Sequence, residues 1–114
     1  MTKQLKKYLL DVYQAILQIE NFTSGIGSID NFMTSPMVQS AVERQFTIIG
    51  EALNRASKLD SKLAISDTRQ IIDLRNVLVH AYDIVSPEII WQIVQQDLPI
   101  LKAEVEALLP SVSS

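Results

Sequence analysis

Apolar residues recur at three- and four-residue steps along most of this chain, which is the period of an amphipathic helix. The first such run predicts a helix over about residues 3–22. A second long helix is predicted over about residues 36–57, where Ser35 and Pro36 fit an N-cap followed by a proline at the first helical position. Between these helices, the glycines and serines of residues 23–28 predict a turn, and residues 29–33 a short element or loop.

The second half of the chain repeats this pattern after a connection over residues 58–65. Ser66 is the predicted N-cap of a third helix that reaches about Tyr82. Ser86, followed by Pro87 and Glu88, opens a fourth helix that extends to about Leu109. This last helix contains Pro99, and an interior proline costs roughly 3 kcal/mol or kinks the helix. We therefore expect a bend or break near residues 97–99.

These elements predict an all-α protein, a bundle of four or five helices. Three glycines and four prolines in 114 residues are too few for the frequent turns of an all-β protein. The length fits one domain over residues 1–114, and no internal repeat suggests another organisation.

Composition narrows the possible chemistry. Without cysteine the chain has no disulfide, no thiolate nucleophile and no Cys-based metal site, and its single histidine cannot build a multi-His zinc site. We therefore expect no metal and no cofactor. No apolar run approaches the about 18 residues of a membrane span, and residues 1–7 lack the apolar core of a signal peptide, so a cytoplasmic protein is expected.

The net charge of −3 argues against broad, nonspecific coating of DNA. A local basic cleft is still compatible with this charge. The basic run of Lys3, Lys6 and Lys7 is interpreted as a solvated helix face.

The third predicted helix carries the candidate chemistry. At 100° per residue, one broad stripe is apolar and forms the core side: Ile71, Leu74, Val77, Leu78, Ala81 and Ile84. The opposite face carries Asp73, Asn76, His80 and Asp83 along one side, with Arg75 and Tyr82 on its other edge. Two aliphatic residues, Ile72 and Val79, lie among these polar groups, which suggests that this face is covered, for example by a second subunit.

Arg75 and His80 could together cleave RNA without a metal ion. Arginine binds phosphate with two parallel hydrogen bonds, and histidine transfers protons near neutral pH. Asn76 lies one turn before His80 and can hydrogen-bond to its ring. A lone histidine in a helix is more often structural, however, and Tyr82 by its spacing alone is more often a packing residue. Spacing therefore leaves both interpretations open.

Residues 75–82 match the Arg-x4-His-x-Tyr signature of the HepT-like proteins in the HEPN superfamily, and the chain resembles that family along nearly its whole length. Further similarity lies in Tyr8-Leu9-Leu10-Asp11, in Ile48-Ile49-Gly50-Glu51-Ala52 and in Ile90-Trp91. Many relatives carry Trp and Arg before the motif, where this chain has Thr68-Arg69-Gln70.

The resemblance implies a HEPN-like helical domain that acts as a homodimer and as the toxin of a toxin–antitoxin pair. Such toxins are metal-independent endoribonucleases, and two Arg-x4-His motifs meet in a cleft at the dimer interface. Arg75 and His80 would be the catalytic pair, with Asn76 orienting the site. The partner would be a minimal nucleotidyltransferase antitoxin that attaches AMP to Tyr82.

A second interpretation is a non-catalytic interaction module that binds the nucleotidyltransferase partner or a nucleotide, because a fold does not determine a function. An RNA-cleaving activity that resists EDTA and is lost in His80→Ala would distinguish the enzyme from this module.

Overall fold

The computed structural model describes residues 2–63, 65 and 86–109. Their helices are α1 (Lys3–Thr23), α2 (Ile29–Met33), α3 (Pro36–Leu59), α4 (Pro87–Gln92) and α5 (Leu98–Leu108), with a π-helical segment (Ile93–Asp97) joining α4 to α5. These residues contain no strand, so the all-α prediction is confirmed. None of the described helices has both the length and the apolar character needed to cross a membrane.

Helix α1 begins at the predicted residue and ends one residue later than expected. The Thr2 hydroxyl accepts a hydrogen bond from the backbone N–H of Leu5 at 3.1 Å, which satisfies one of the free donors of the first turn. The buried side chains follow the predicted period of three and four residues: Leu5, Leu9, Val12, Tyr13, Ala15, Ile16 and Ile19. Burial of this stripe against α3 stabilises the helix more than its intrinsic propensity does.

As predicted, Ser35 is the N-cap residue of α3 and Pro36 is its first helical residue, but the Ser35 hydroxyl does not accept a hydrogen bond from the first turn. The Ser35 hydroxyl donates backwards to the Asn31 carbonyl at 2.9 Å. The side-chain amide of Gln39 donates to the carbonyls of Phe32 and Met33 at 2.8 and 3.0 Å. These two side chains thus donate to carbonyls at the end of α2, and the sequence pattern did not reveal these contacts.

Helices α1 and α3 pack along one another as the main pair of the bundle. The apolar side chains that α3 contributes to the shared core are Val42, Phe46, Ile49, Ala52, Leu53 and Ala56. Helix α5 closes this core on the α1 side with Leu98, Leu101 and Val105, and α2 meets α4 where the rings of Phe32 and Trp91 lie 5.2 Å apart.

The expected disturbance at Pro99 takes the form of a π-helical segment. Proline has no N–H to give to the carbonyl four residues earlier, so a regular α-helix cannot continue through it without losing a hydrogen bond. Over Ile93–Asp97 the backbone hydrogen bonds span five residues instead of four, as the bond from the N–H of Leu98 to the carbonyl of Ile93 shows. Pro99 then lies in the first turn of α5, where its missing N–H costs little.

Candidate functional site

The predicted site residues lie outside the described residues. Arg75, Asn76, His80 and Tyr82 all belong to residues 66–85, as does the predicted N-cap at Ser66. Their roles therefore stay predictions. The described residues give the framework that flanks this segment, together with the charged surface of the bundle.

The chain is tied to the bundle on both sides of that segment. Leu63 and Ile65 are half-buried against the core, and the N–H of Ile65 donates to the Leu63 carbonyl at 2.9 Å. On the other side, the Ser86 hydroxyl accepts from the backbone N–H of Ile89 at 3.4 Å, and Pro87 occupies the first position of α4. This confirms the predicted cap and fixes where the chain re-enters the described fold.

A polar groove runs between α1 and α3. It is lined by Lys7, Tyr8, Asp11, Ile48, Glu51, Ala52 and Arg55. Lys7 pairs with Asp11 at 3.0 Å, and Arg55 pairs with Glu51 at 3.5 Å. In each pair the two partners lie one turn apart on the same helix. Exposed pairs of this kind contribute about 0–1 kcal/mol each, so these two pairs add little to the stability of the fold.

A positively charged surface, which we call the basic end, forms where α1 begins and α3 ends. The basic end consists of the exposed cationic side chains Lys3, Lys6, Lys7, Arg55, Lys58 and Lys62. The first three were interpreted from the sequence as a solvated face, which their exposure bears out. The contribution of α3 and its following turn was missed, because it depends on how the two helices pack.

Among the described carboxyl groups, Glu43 is the one whose pKa is clearly shifted by its surroundings. It lies on α3 and is half-buried, and this desolvation raises the pKa of Glu43 above its ordinary value. A carboxyl group held in this way opposes folding when it is ionised.

No three His, Cys, Asp or Glu side chains among the described residues stand close enough together to hold a metal ion. The chain's single histidine, His80, lies outside those residues.

The described residues form an all-α helical bundle, and comparison with known proteins identifies the family of the chain. The model of the family described as "Ribonuclease HepT-like" matches residues 12–108. This chain therefore belongs to the HepT-like family of the HEPN superfamily, as the motif predicted. The match spans the segment that carries Arg75 and His80.

Two relatives that align with most of this chain have the word ribonuclease or RNase in their names. "Probable ribonuclease HepT" of Thermococcus cleftensis is 35% identical over 112 residues, which is 95% of this chain and 98% of the relative. "Putative RNase MJ1380" of Methanocaldococcus jannaschii is 30% identical over 105 residues, covering 91% of this chain and 95% of the relative.

A third relative is longer. "Gamma-glutamylcyclotransferase and putative RNase MJ0434" of the same archaeon is 33% identical over 106 residues, which is 92% of this chain. The aligned part is 47% of that relative, so this chain spans about half of its length. No solved structure matches this chain.

Proposed function

We propose that this chain is the toxin of a toxin–antitoxin pair and acts as a metal-independent endoribonuclease. The observation that carries the proposal is the family match over residues 12–108, which includes an intact Arg75-x4-His80-x-Tyr82 motif. Two relatives are named "Probable ribonuclease HepT" and "Putative RNase MJ1380", and the motif of this chain supplies the groups that RNA cleavage needs.

The proposed reaction uses the RNA's own 2′-OH as the nucleophile. The 2′-oxygen attacks the adjacent phosphorus, the bond from phosphorus to the 5′-oxygen breaks, and a 2′,3′-cyclic phosphate remains. His80 takes the proton from the 2′-OH, and the protonated ring then returns a proton to the departing 5′-oxygen. Arg75 stabilises the negative charge that builds up on the phosphate oxygens, and Asn76 orients the His80 ring. DNA lacks the 2′-OH and is not cleaved.

We further propose that the chain works as a homodimer in which two Arg-x4-His motifs form one cleft. The two aliphatic residues among the polar groups of the motif helix, Ile72 and Val79, would contact the second subunit beside this cleft. The proposed partner is a minimal nucleotidyltransferase antitoxin. AMP attached by it to Tyr82 adds bulk and a negative phosphate, both of which oppose binding of an RNA backbone.

The test uses the purified chain without its antitoxin, an intact mass to establish that Tyr82 is unmodified, and RNA in the presence of EDTA. We expect cleavage by the wild type, no cleavage by His80→Ala or Arg75→Ala, and no cleavage of an RNA with 2′-deoxy or 2′-O-methyl nucleotides. Gln70→Ala is the matched control on the same predicted helix, and we expect it to cleave as the wild type does.

The opposite result is equally clear. An unmodified, folded dimer that leaves RNA intact, yet binds the antitoxin, would identify the chain as the non-catalytic interaction module. Cleavage that survives in His80→Ala would assign the chemistry to other residues.

A further inference from the structure

Charge is distributed unevenly over this acidic protein. The basic end carries six cationic side chains and three carboxylates, those of Asp11, Glu51 and Asp60. Two cationic side chains, Arg44 and Lys102, lie elsewhere among the described residues. The carboxylates elsewhere among them number seven: Glu20, Asp30, Glu43, Glu88, Asp97, Glu104 and Glu106. One end of the bundle is therefore positive although the chain as a whole is negative.

The packing of α1 against α3 creates this concentration of charge. The start of α1 lies beside the end of α3, since Thr2, Leu5, Leu59 and Asp60 line one surface depression. One turn further along, Lys7 of α1 and Arg55 of α3 line the same groove. The basic run at the start of α1 and the cations that end α3 are consequently carried by the same end of the bundle.

Four of these six cations are available to a ligand. Lys7 and Arg55 pair with carboxylates of their own helices, whereas Lys3, Lys6, Lys58 and Lys62 form no ion pair with any described residue and are exposed. The Asp60 carboxylate accepts from the backbone N–H of Lys62 at 3.0 Å, which is a local turn contact rather than an ion pair. Four lysines whose charge no carboxylate of the described fold neutralises thus face solvent.

We propose that the basic end binds the phosphate backbone of the RNA substrate. The inference rests on the proposed ribonuclease function and deepens it, because it assigns substrate-binding residues in addition to those of the Arg-x4-His motif. Lysines contact phosphates without regard to base identity, so this surface contributes affinity and orientation rather than sequence preference. The acidic remainder of the bundle repels a polyanion, which favours approach from the basic end.

The chemistry of the surface favours a nucleic acid over a protein or a lipid bilayer. Lysine is depleted in protein–protein interfaces, whose cores are apolar and rich in aromatic residues. Of the large hydrophobic side chains exposed among the described residues, Leu59 is the one that belongs to this end, and it is 52% exposed. A helix that lies in a membrane surface must offer a free apolar face, whereas the apolar face of α1 is buried in the core.

The experiment measures binding separately from cleavage. Fluorescence anisotropy with a labelled 2′-O-methyl oligouridylate, which the proposed reaction cannot cut, reports affinity over a series of salt concentrations. The variants are Lys3→Gln/Lys6→Gln and Lys58→Gln/Lys62→Gln. The charge-matched control is Arg44→Gln/Lys102→Gln, which also removes two cations but leaves the basic end intact. Circular dichroism establishes that each variant is folded.

The logarithm of the RNA-binding constant falls linearly with the logarithm of the salt concentration. We expect each basic-end variant to make this slope less steep by about 0.7 per phosphate contact removed, and the control variant to leave the slope unchanged. The loss should be the same for oligouridylate and oligoadenylate, because base identity is not read here. Equal effects of the control, absence of RNA binding by the wild type, or a preference of the basic end for vesicles containing phosphatidylserine would overturn the inference.

Failure of the inference and failure of the proposed function give different results. If the wild type binds RNA through the basic end but cleaves none, the RNA surface stands and the nuclease proposal falls. If the wild type cleaves RNA with a salt dependence that the lysine variants do not alter, the nuclease proposal stands and the RNA surface falls.

Discussion

Lys102 of α5 and Glu20 of α1 are joined by two hydrogen bonds, since the Lys102 Nζ lies 3.0 Å from each carboxylate oxygen of Glu20. Further along the same two helices, the Tyr13 hydroxyl lies 3.4 Å from the Glu106 Oε2. These contacts set α5 antiparallel to α1, because residues later in α5 meet residues earlier in α1. The two polar contacts thereby help to fix the register of α5 over the apolar core.

The Lys102–Glu20 pair leads to a prediction about alkaline pH. The hydrogen bond to Glu20 raises the pKa of Lys102; partial burial opposes this shift, and the charges of Glu20 and Glu106 add to it. Since the folded-state pKa lies above the unfolded one, the pair stabilises the fold fully below the ordinary lysine pKa of about 10.4. The stabilisation is lost as the pH rises through the folded-state pKa.

A double-mutant cycle of Glu20→Gln and Lys102→Gln measures this effect. Both side chains are partly exposed, so we expect a coupling energy of only about 0.5 kcal/mol near neutral pH from urea unfolding. The coupling should vanish at pH values above the folded-state pKa of Lys102. A coupling that is unchanged at high pH would contradict the assignment to this ion pair.

Glu43 should destabilise the fold at neutral pH. Burial raises the pKa of Glu43, so the unfolded state releases the proton more readily, and stability falls as the pH rises through the folded-state pKa. The substitution Glu43→Gln removes the buried charge and keeps the shape. We expect a gain of about 0.5 kcal/mol in the free energy of unfolding at neutral pH, a value that allows for solvent screening of a half-exposed group.

This gain should disappear in acid, where Glu43 is protonated in both states. Glu104→Gln, on the half-buried part of α5, serves as the comparison, and a pH-dependent gain of the same size there would show that the effect is not specific to Glu43. A loss of stability in Glu43→Gln at neutral pH would contradict the prediction.

Two leucines of α3 offer a matched test of the core. Leu53 is fully buried, whereas Leu59, on the same helix, is 52% exposed. We expect Leu53→Ala to lower the free energy of unfolding by about 3 kcal/mol, through lost apolar burial and the cavity left behind. Leu59→Ala should change it by no more than about 0.5 kcal/mol. Denaturant unfolding measures both changes. Similar losses of stability in the two variants would contradict the assignment of Leu53 to the core and of Leu59 to the surface.

The modification proposed for Tyr82 can be tested against another tyrosine of the same chain. Incubation with the antitoxin and ATP should raise the intact mass by one or more AMP groups and reduce RNA cleavage. Tyr82→Phe should gain no mass, and Tyr8→Phe, a change in the groove between α1 and α3, should gain as much as the wild type. A mass increase that persists in Tyr82→Phe would assign the modification to another residue.

Much of the fold was predictable because the signals are local. The bounds of α1, the start of α3 and the cap at Ser86 follow from apolar periodicity and from side chains that bond within one turn. Ser35 takes the predicted N-cap position, but its hydroxyl does not cap α3 because it donates to the Asn31 carbonyl in the preceding short helix, a contact that depends on how α2 ends. The candidate motif was likewise visible as a spacing, from Arg75 to His80, that matches a family.

The sequence by itself determined the helical class, the bounds of α1, the starts of α3 and α4, and the family of this protein, because hydrogen bonds within a helix span only four residues and its buried face repeats every three or four. The tertiary structure alone decided the register of α5 on α1 through Lys102 and Glu20, and it alone brought the cations that begin α1 and those that end α3 to the same end of the bundle. Such contacts depend on which apolar helix faces pack against each other in the core, and this packing brings together residues that are far apart in the sequence.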